Sequence, residues 1–300
     1  MRILFLSLFF FILCLKDGLS QSDYLTYFRL KNKAEVAICQ DQYANALNYY
    51  KLAFQVVDFP LYKELNNAFI CSLLVGDTVY LYDSLSIYSG RIDLNRIENQ
   101  YYIQSYSNTQ TWKQFVKQAN IYRTIATNSI NNNYIRLLDS LDKEDQKPRQ
   151  IGITKRNKIA KIDSLIAIAT DQLMHCWDYP NERNTGLKYV TNSPICIWHR
   201  IDTTFINYEY QMLCEGKMEP ELYVRKKSYA SSIQVVMKKS IIEKDKYCRL
   251  SFSKLTTMEL EEVNKNRSAI GFPTTEEWKI LCKARKEKTE MGFIFHIFIL

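Results

Sequence analysis

Between residues 34 and 57, small and aromatic side chains recur three to six positions apart, the spacing of a helix that packs closely on a neighbour. The recurring residues are Ala34, Ala37, Tyr43, Ala46, Tyr50 and Ala53. Asp41 and Gln42 interrupt the pattern, and Pro60 follows it. We therefore expect two antiparallel helices that turn at Asp41 and end before Pro60.

A second unit of the same kind follows. An apolar stripe from Leu65 to Leu73 leads to a Gly76-Asp77 turn and to a returning stripe at Val79, Tyr82 and Leu85. Asp41 and Asp77 mark equivalent turns 36 residues apart, near the roughly 34-residue period of tetratricopeptide repeats. Since about three repeats are needed for stability, another element must cap the stack.

Four short stretches in this region resemble the tetratricopeptide-like modules of secreted Bacteroidetes proteins. They are residues 65–69 (LNNAF), 76–77 (GD), 89–94 (SGRIDL) and 111–115 (TWKQF). The resemblance implies a protein-interaction unit without catalytic residues, in which Trp112 closes the stack. We expect the concave face near Tyr43, Tyr50 and Tyr82 to bind a protein or peptide.

The pattern of apolar residues in the second half of the chain also predicts helices. Apolar stripes run from Ile130 to Leu141 and from Ile159 to Leu173, and a long helix is predicted from about Ser193 to the stop at Gly216. Thr274 and Glu277 have the spacing of a capping box.

The order of motifs over roughly residues 135 to 285 resembles a bacterial domain of unknown function found in Bacteroidetes and actinobacteria. The shared pattern is an Asp-Gln-x-x-Arg stretch, a helix-opening Asp, an aromatic-Pro corner, a Gly, a Trp-His pair and an Asn-x-x-Arg-x-x-Ile-Gly close. The matching residues are Asp145, Gln146, Arg149, Asp163, Tyr179, Pro180, Gly186, Trp198, His199, Asn264, Arg267, Ile270 and Gly271. The chain departs from the pattern at Arg225-Lys226-Lys227, where relatives carry an Asp-Arg pair. The resemblance implies a fold and no reaction.

Two interpretations of the polar residues in this half stay open. His199 and Asp202 share a helix face, and with Asp145 or Asp163 they would form an acid–base cluster of a hydrolase-like enzyme. Alternatively, Arg149 and Asp163 form a buried ion pair that fixes two helices, and His199 is a hydrogen-bonded core residue. The chain contains no Gly-rich phosphate loop, no Gly-x-Ser-x-Gly and no His-Glu-x-x-His.

Composition favours an all-α fold, because 8 Gly and 6 Pro in 300 residues are too few for the turns of a many-stranded protein. Three His and no Cys-x-x-Cys predict neither a metal site nor a cofactor. A concentrated share of the formal charge of +8 lies in a basic patch between the two halves. It lacks interleaved aromatic residues, so we expect no nucleic-acid binding; it is a solvated surface or a contact for an anionic envelope polymer. Its members are Lys147, Arg149, Lys155, Arg156, Lys158 and Lys161.

The first twenty residues follow the pattern of a secretory signal: Arg2, an apolar run over 3–15, and small residues before Gln21. We expect cleavage after Ser20, a secreted or periplasmic protein, and no integral membrane span afterwards. One or two disulfides could form there among the seven cysteines that remain.

The expected organisation is a signal peptide (1–20), a tetratricopeptide-like helical module (21–128), a helical domain (129–290) and an apolar tail (291–300). The tail is either an added strand, an interaction segment or an atypical chain end. The main functional hypothesis is a protein- or peptide-binding helical-repeat protein. The alternative is the hydrolase-like enzyme that uses His199 with the aspartates.

Overall fold

A computed structural model describes residues 22–92, 94–150, 156–189, 194–198, 203–227 and 256–295. Every regular element in these ranges is helical, and they contain no strand. The prediction of an all-α fold is therefore confirmed.

The first three helices form the hairpins expected from the sequence. They are α1 (Tyr24–Cys39), α2 (Tyr43–Gln55) and α3 (Tyr62–Val75). The Asp23 side chain accepts a hydrogen bond from the Thr26 amide and caps α1. Asp41, with φ of 60°, and Gly76, with φ of 78°, both adopt the left-handed conformation that reverses the chain. Both predicted turns are confirmed.

The predicted returning helix of the second unit is irregular. A π-helical turn (Tyr80–Ser84) and a 3₁₀ helix (Ser86–Arg91) replace a straight α-helix. A Cβ on Gly90 would lie 2.3 Å from the backbone carbon of Tyr122, so the 3₁₀ helix rests directly against the next long helix. The side chains between two regular helices keep their backbones farther apart than this. The close contact at Gly90 therefore accounts for the replacement of the expected α-helix by irregular turns.

Short helices connect the second hairpin to α4 (Gln110–Ser129). Trp112 on α4 lies in the first core with its ring 6.1 Å from that of Phe69. The connecting helices are Leu94–Ile97, Tyr101–Ile103 and Gln104–Ser107.

Two long helices, α5 (Asn132–Gln150) and α6 (Arg156–Trp177), pack side by side and open the second half. They are followed by α7 (Thr203–Cys214) and by a further helical stretch over 220–227. Gly216 has φ of 69°, which confirms the predicted stop. Shorter helices are Glu182–Thr185, Gly186–Tyr189 and Ile195–Trp198.

The last two helices of the described ranges return to α1. They are α8 (Thr257–Ala269) and α9 (Thr275–Glu290), and α9 packs against α1. Thr274 and Glu277 form the predicted capping box. The fully buried Arg267 donates a hydrogen bond to the Pro273 carbonyl over 2.8 Å and so fixes the corner between α8 and α9.

The apolar interior has two parts, and α1 contributes to both. Ala34, Ala37 and Ile38 lie in the first core, with most of α2 to α4. Tyr24, Tyr27 and Phe28 lie in the second core, with α5 to α7. Within the described ranges, no helix has the length and apolar character needed to cross a membrane.

Candidate functional site

The non-helical segment of residues 292–295, here called the C-terminal segment, lies on the first helical hairpins. Phe293 is fully buried and Phe295 is 8% exposed. Two inward side chains separated by one residue have the period of an extended chain. The described part of the apolar tail, residues 291–295, therefore enters the first core as an inserted extended segment.

One side chain on α3 binds both backbone groups of a single residue in this segment. The Asn67 side-chain oxygen accepts from the Ile294 amide over 2.8 Å, and its nitrogen donates to the Ile294 carbonyl over 2.8 Å. The same nitrogen lies 3.3 Å from the Tyr50 hydroxyl, which helps to orient the amide. Asn67 thus recognises backbone and places no demand on the identity of residue 294.

Neighbouring polar groups bind the chain that leads into the segment. Asn66 donates to the Gly292 carbonyl over 3.3 Å, and Tyr102 donates to the Met291 carbonyl over 2.7 Å. We call the surface formed by Tyr43, Asn66, Asn67 and Tyr102 the segment groove. Most of its polar contacts go to backbone, which is the usual basis of extended-peptide recognition.

The three tyrosines predicted to form a binding face have different roles. The ring of Tyr43 stacks on Phe293 at 6.0 Å with an interplanar angle of 6°. Tyr50 is fully buried under the groove and does not form the expected surface for a partner. Its hydroxyl instead accepts a hydrogen bond from Asn67 and helps to orient that side chain. Tyr82 packs edge-on against Phe115. The tyrosines therefore form no shared open surface, because the helical stripe that carries them also fills the core.

Charged side chains are buried where α1, α3 and the 218–224 stretch meet. The Nζ of Lys31 lies 3.2 Å from Glu221 and 3.9 Å from both Glu64 and Glu219. Lys63 binds Glu219 at 2.6 Å. Buried charges are stable only when they are paired. We call this group the buried charge cluster; its members are Lys31, Glu35, Lys63, Glu64, Glu219 and Glu221.

The cluster holds two ammonium groups against four carboxyl groups, so it is neutral only when two carboxyls carry protons. Burial raises the pKa of Glu35 to about 8, and it raises that of Glu219 to about 7 against the opposing effect of Lys63. Burial alone would lower the pKa of Lys31, but the surrounding carboxylates, Glu221 first, hold it well above its usual value. Protons are therefore bound in this part of the core near neutral pH.

Three of the five predicted catalytic residues lie within the described ranges and meet between α5 and α6. Arg149 pairs with Asp163 over 2.8 Å and lies 3.4 Å from Asp145. Asp145 is buried, whereas the side chains of Arg149 and Asp163 are 28% and 35% exposed. The ion pair that the sequence suggested joins the two helices, but it is partly exposed and not buried. His199 and Asp202 lie outside the described residues.

The short helix Ile195–Trp198 lies against both α5 and α6. Its Cys196 amide donates to Asp142 over 2.9 Å. The chain just before His199 is therefore held against the two helices that carry Asp145, Arg149 and Asp163.

The predicted basic patch is only partly described. Lys147 and Lys161 lie on α5 and α6, and Arg149 is already paired with Asp163. Lys155 and the side chains of Arg156 and Lys158 lie outside the description. The described part of the patch therefore offers at most two lysines, Lys147 and Lys161, for contact with an anionic partner.

The six described cysteines carry free thiols; two are exposed, two are half-buried and two are buried. Cys176 and Cys282 are exposed, and Cys71 and Cys196 are buried. Among the described residues, no group of three or more His, Cys, Asp or Glu side chains has an arrangement that could hold a metal ion.

Of the residues of the segment groove, the sequence pointed only to Tyr43 and not to Asn66, Asn67 or Tyr102. A signal was present: Asn66 and Asn67 stand side by side within the apolar stripe from Leu65 to Leu73, and buried amides require partners. Phe293 and Phe295 supply a second signal, the alternation of an extended chain.

Comparison with protein families, curated proteins and solved structures finds no match to this chain.

Proposed function

We propose that this chain is a secreted or periplasmic protein that binds extended peptide segments in the segment groove, and that its own C-terminal segment is a built-in competitor. The single observation that carries the proposal is the pair of hydrogen bonds between Asn67 and both backbone groups of Ile294. A groove that recognises backbone in this way accepts any chain whose side chains fit.

The side-chain requirement follows from the segment that occupies the groove. Phe293 is fully buried beneath Tyr43, Phe295 is nearly buried, and Ile294 lies between them at the Asn67 contact. The favoured ligand is therefore an extended peptide with aromatic residues at alternate positions, Phe-x-Phe. A small residue such as glycine precedes the first aromatic residue. Asn66 and Tyr102 bind the carbonyls before the first aromatic residue.

Competition is energetically feasible. Burial of each phenylalanine contributes about 2 kcal/mol, while fixing each backbone residue costs about 1–2 kcal/mol. The balance for the short segment is a few kcal/mol at most. Because it is tethered, the segment competes at an effective concentration on the order of millimolar. A partner peptide with further contacts would displace it.

The test uses the full chain with a weakened internal segment, F293A/F295A, and a labelled peptide of residues 291–296 (MGFIFH). By fluorescence anisotropy we expect the peptide to bind the double variant at least tenfold more tightly than the unaltered chain. Adding Asn67→Ala should remove most of that binding, whereas Asn45→Ala, an exposed asparagine on α2, should leave it unchanged.

A change in the peptide provides a control that does not depend on folding. Methylation of the peptide nitrogen that corresponds to Ile294 removes the donor to Asn67 and should weaken binding about tenfold or more. Equal binding of the methylated and unmethylated peptides, or equal binding to the double variant and the unaltered chain, would contradict the proposal.

A hydrolase-like activity based on His199 is a second candidate. It is favoured by the position of Ile195–Trp198, which ends immediately before His199 and packs against the two helices that carry Asp145, Arg149 and Asp163. Hydrolysis of p-nitrophenyl esters by the full chain should then be lost in both His199→Gln and Asp163→Asn and kept in Asp83→Asn, which alters an exposed carboxylate. Rates that are the same in all four proteins would exclude this candidate.

A further inference from the structure

A cavity of about 600 Å³ lies away from the segment groove, between the hairpins and the start of the second half. Phe59, Arg91 and Arg123 come from the first half, and Glu182 and Arg183 come from the second. Its walls are mostly apolar and include Ile92, Ala126, Ile130 and Leu187. Leu187 is half exposed at the surface. A cavity of this size is suited to a small molecule.

Two of the three guanidinium groups lie over the same aromatic ring. Arg91 and Arg183 lie 3.9 Å and 4.6 Å from the centre of the Phe59 ring. Arg91 is also paired with Glu182 and bonded to the Pro60 carbonyl. Arg183 is paired with Asp58 over 2.9 Å. The charges of both arginines are therefore compensated within the fold.

Arg123 differs from the other two arginines. Its guanidinium donates to the Ile92 carbonyl over 3.0 Å, and no carboxylate among the described residues pairs with it. One positive charge, with donors to spare on a planar group, thus remains in the wall of an apolar cavity. This arrangement fits a ligand with a single carboxylate.

Close backbone contacts fix the walls of the cavity. The 3₁₀ helix at Gly90 rests on the backbone of α4, and Gly186, with φ of 59°, leaves room for Ile130, which would lie 2.7 Å from an added Cβ. The cavity therefore exists before a ligand arrives, so binding does not have to order it.

We propose that this cavity binds a small monocarboxylic acid with an apolar body, with the carboxylate on Arg123 and the hydrocarbon against Ile130 and Leu187. The site is independent of the segment groove and does not rest on the peptide-binding proposal. A neutral molecule of the same length lacks the partner for Arg123 and binds more weakly.

The experiment measures binding of sodium octanoate and of 1-octanol to the full chain by isothermal titration calorimetry. We expect saturable binding of octanoate and at least tenfold weaker binding of octanol. Arg123→Gln should weaken octanoate binding about tenfold or more, the loss of one charge-assisted contact. Arg136→Gln, an exposed arginine on α5, is the matched control and should leave octanoate binding unchanged.

A second variant fills the cavity without changing its charge. Ala126→Phe should abolish octanoate binding while the circular dichroism spectrum stays unchanged. Absence of octanoate binding to the unaltered chain, equal binding of octanol, or unchanged binding to Arg123→Gln would each overturn the proposal.

Discussion

Lys31 and Glu221 are 190 residues apart in the chain, yet the Lys31 ammonium donates to the Glu221 carboxylate over 3.2 Å inside the core. The two residues belong to the buried charge cluster, in which Lys31 depends on carboxyl groups from other parts of the sequence. Removing one partner leaves the others buried without compensation. The next two predictions follow from this dependence.

Replacing Lys31 by Met should strongly destabilise the protein. The substitution leaves Glu64, Glu219 and Glu221 without their shared cation, and breaking a buried pair in this way costs about 3–5 kcal/mol. Lys33→Met alters an exposed lysine on the same helix and should change the stability by less than about 0.5 kcal/mol. Urea unfolding of the three proteins at pH 7 measures the difference. Similar midpoints for the two variants would contradict it.

The stability of the unaltered chain should fall as the pH rises from about 5 to about 8. The pKa of Glu35 is about 8 in the folded state and near its ordinary value of 4.5 in the unfolded chain. Between these values the folded state binds the additional proton, so each rise in pH favours unfolding. The full difference of about 3.5 between the two pKa values corresponds to at most about 5 kcal/mol.

Glu35→Gln tests the cause of this pH dependence. The variant cannot ionise at position 35, so its free energy of unfolding should depend less on pH and exceed that of the unaltered chain most at pH 8. Glu98→Gln, at an exposed position, should keep the original profile. Parallel profiles for Glu35→Gln and the unaltered chain would show that Glu35 is not the responsible group.

Gly216→Ala should destabilise the chain more than Gly76→Ala. Both glycines have positive φ, so either alanine is strained by about 1–2 kcal/mol. At Gly216 the added Cβ would also lie 2.2 Å from the Tyr24 ring, whereas at Gly76 the nearest atom is 3.9 Å away. Overpacking adds about 1–3 kcal/mol at Gly216 alone. Thermal unfolding of the two variants gives the comparison, and equal losses would mean that Tyr24 moves aside.

Thiol reactivity should separate the cysteines by exposure. In the native protein, iodoacetamide should modify the exposed Cys176 and Cys282 well before Cys71 and Cys196. Burial raises the pKa of both Cys71 and Cys196, which further lowers their thiolate fraction. Peptide mass spectrometry over a time course measures the order. After denaturation without reductant, all six described cysteines should react; protection of any pair would reveal a disulfide.

Local signals predicted the parts of the fold that depend on a few neighbouring residues. The turns at Asp41 and Gly76, the stop at Gly216 and the capping box at Thr274 are set by backbone conformations that particular side chains favour. The irregular turns after Gly76 were not predicted, because they depend on how closely Gly90 approaches α4.

The candidate sites were harder to predict because their members come from distant parts of the chain. Asn67 binds a backbone 227 residues away, and no local pattern identifies which residue will supply that backbone. Tyr50 shows the converse difficulty: its spacing fits both a binding face and a core, and only the packing decides between them. The Arg149–Asp163 pair could be proposed because its residues are 14 positions apart on consecutive helices.

The place of α1 in both cores has a consequence for biosynthesis. Arg29 and Asn32 on this helix bind carbonyls at positions 268 and 271, each 239 residues later. α1 is therefore completely packed only after residues 268 and 271 have been made. Contacts of such long sequence separation close large loops of chain, so we expect the protein to fold slowly.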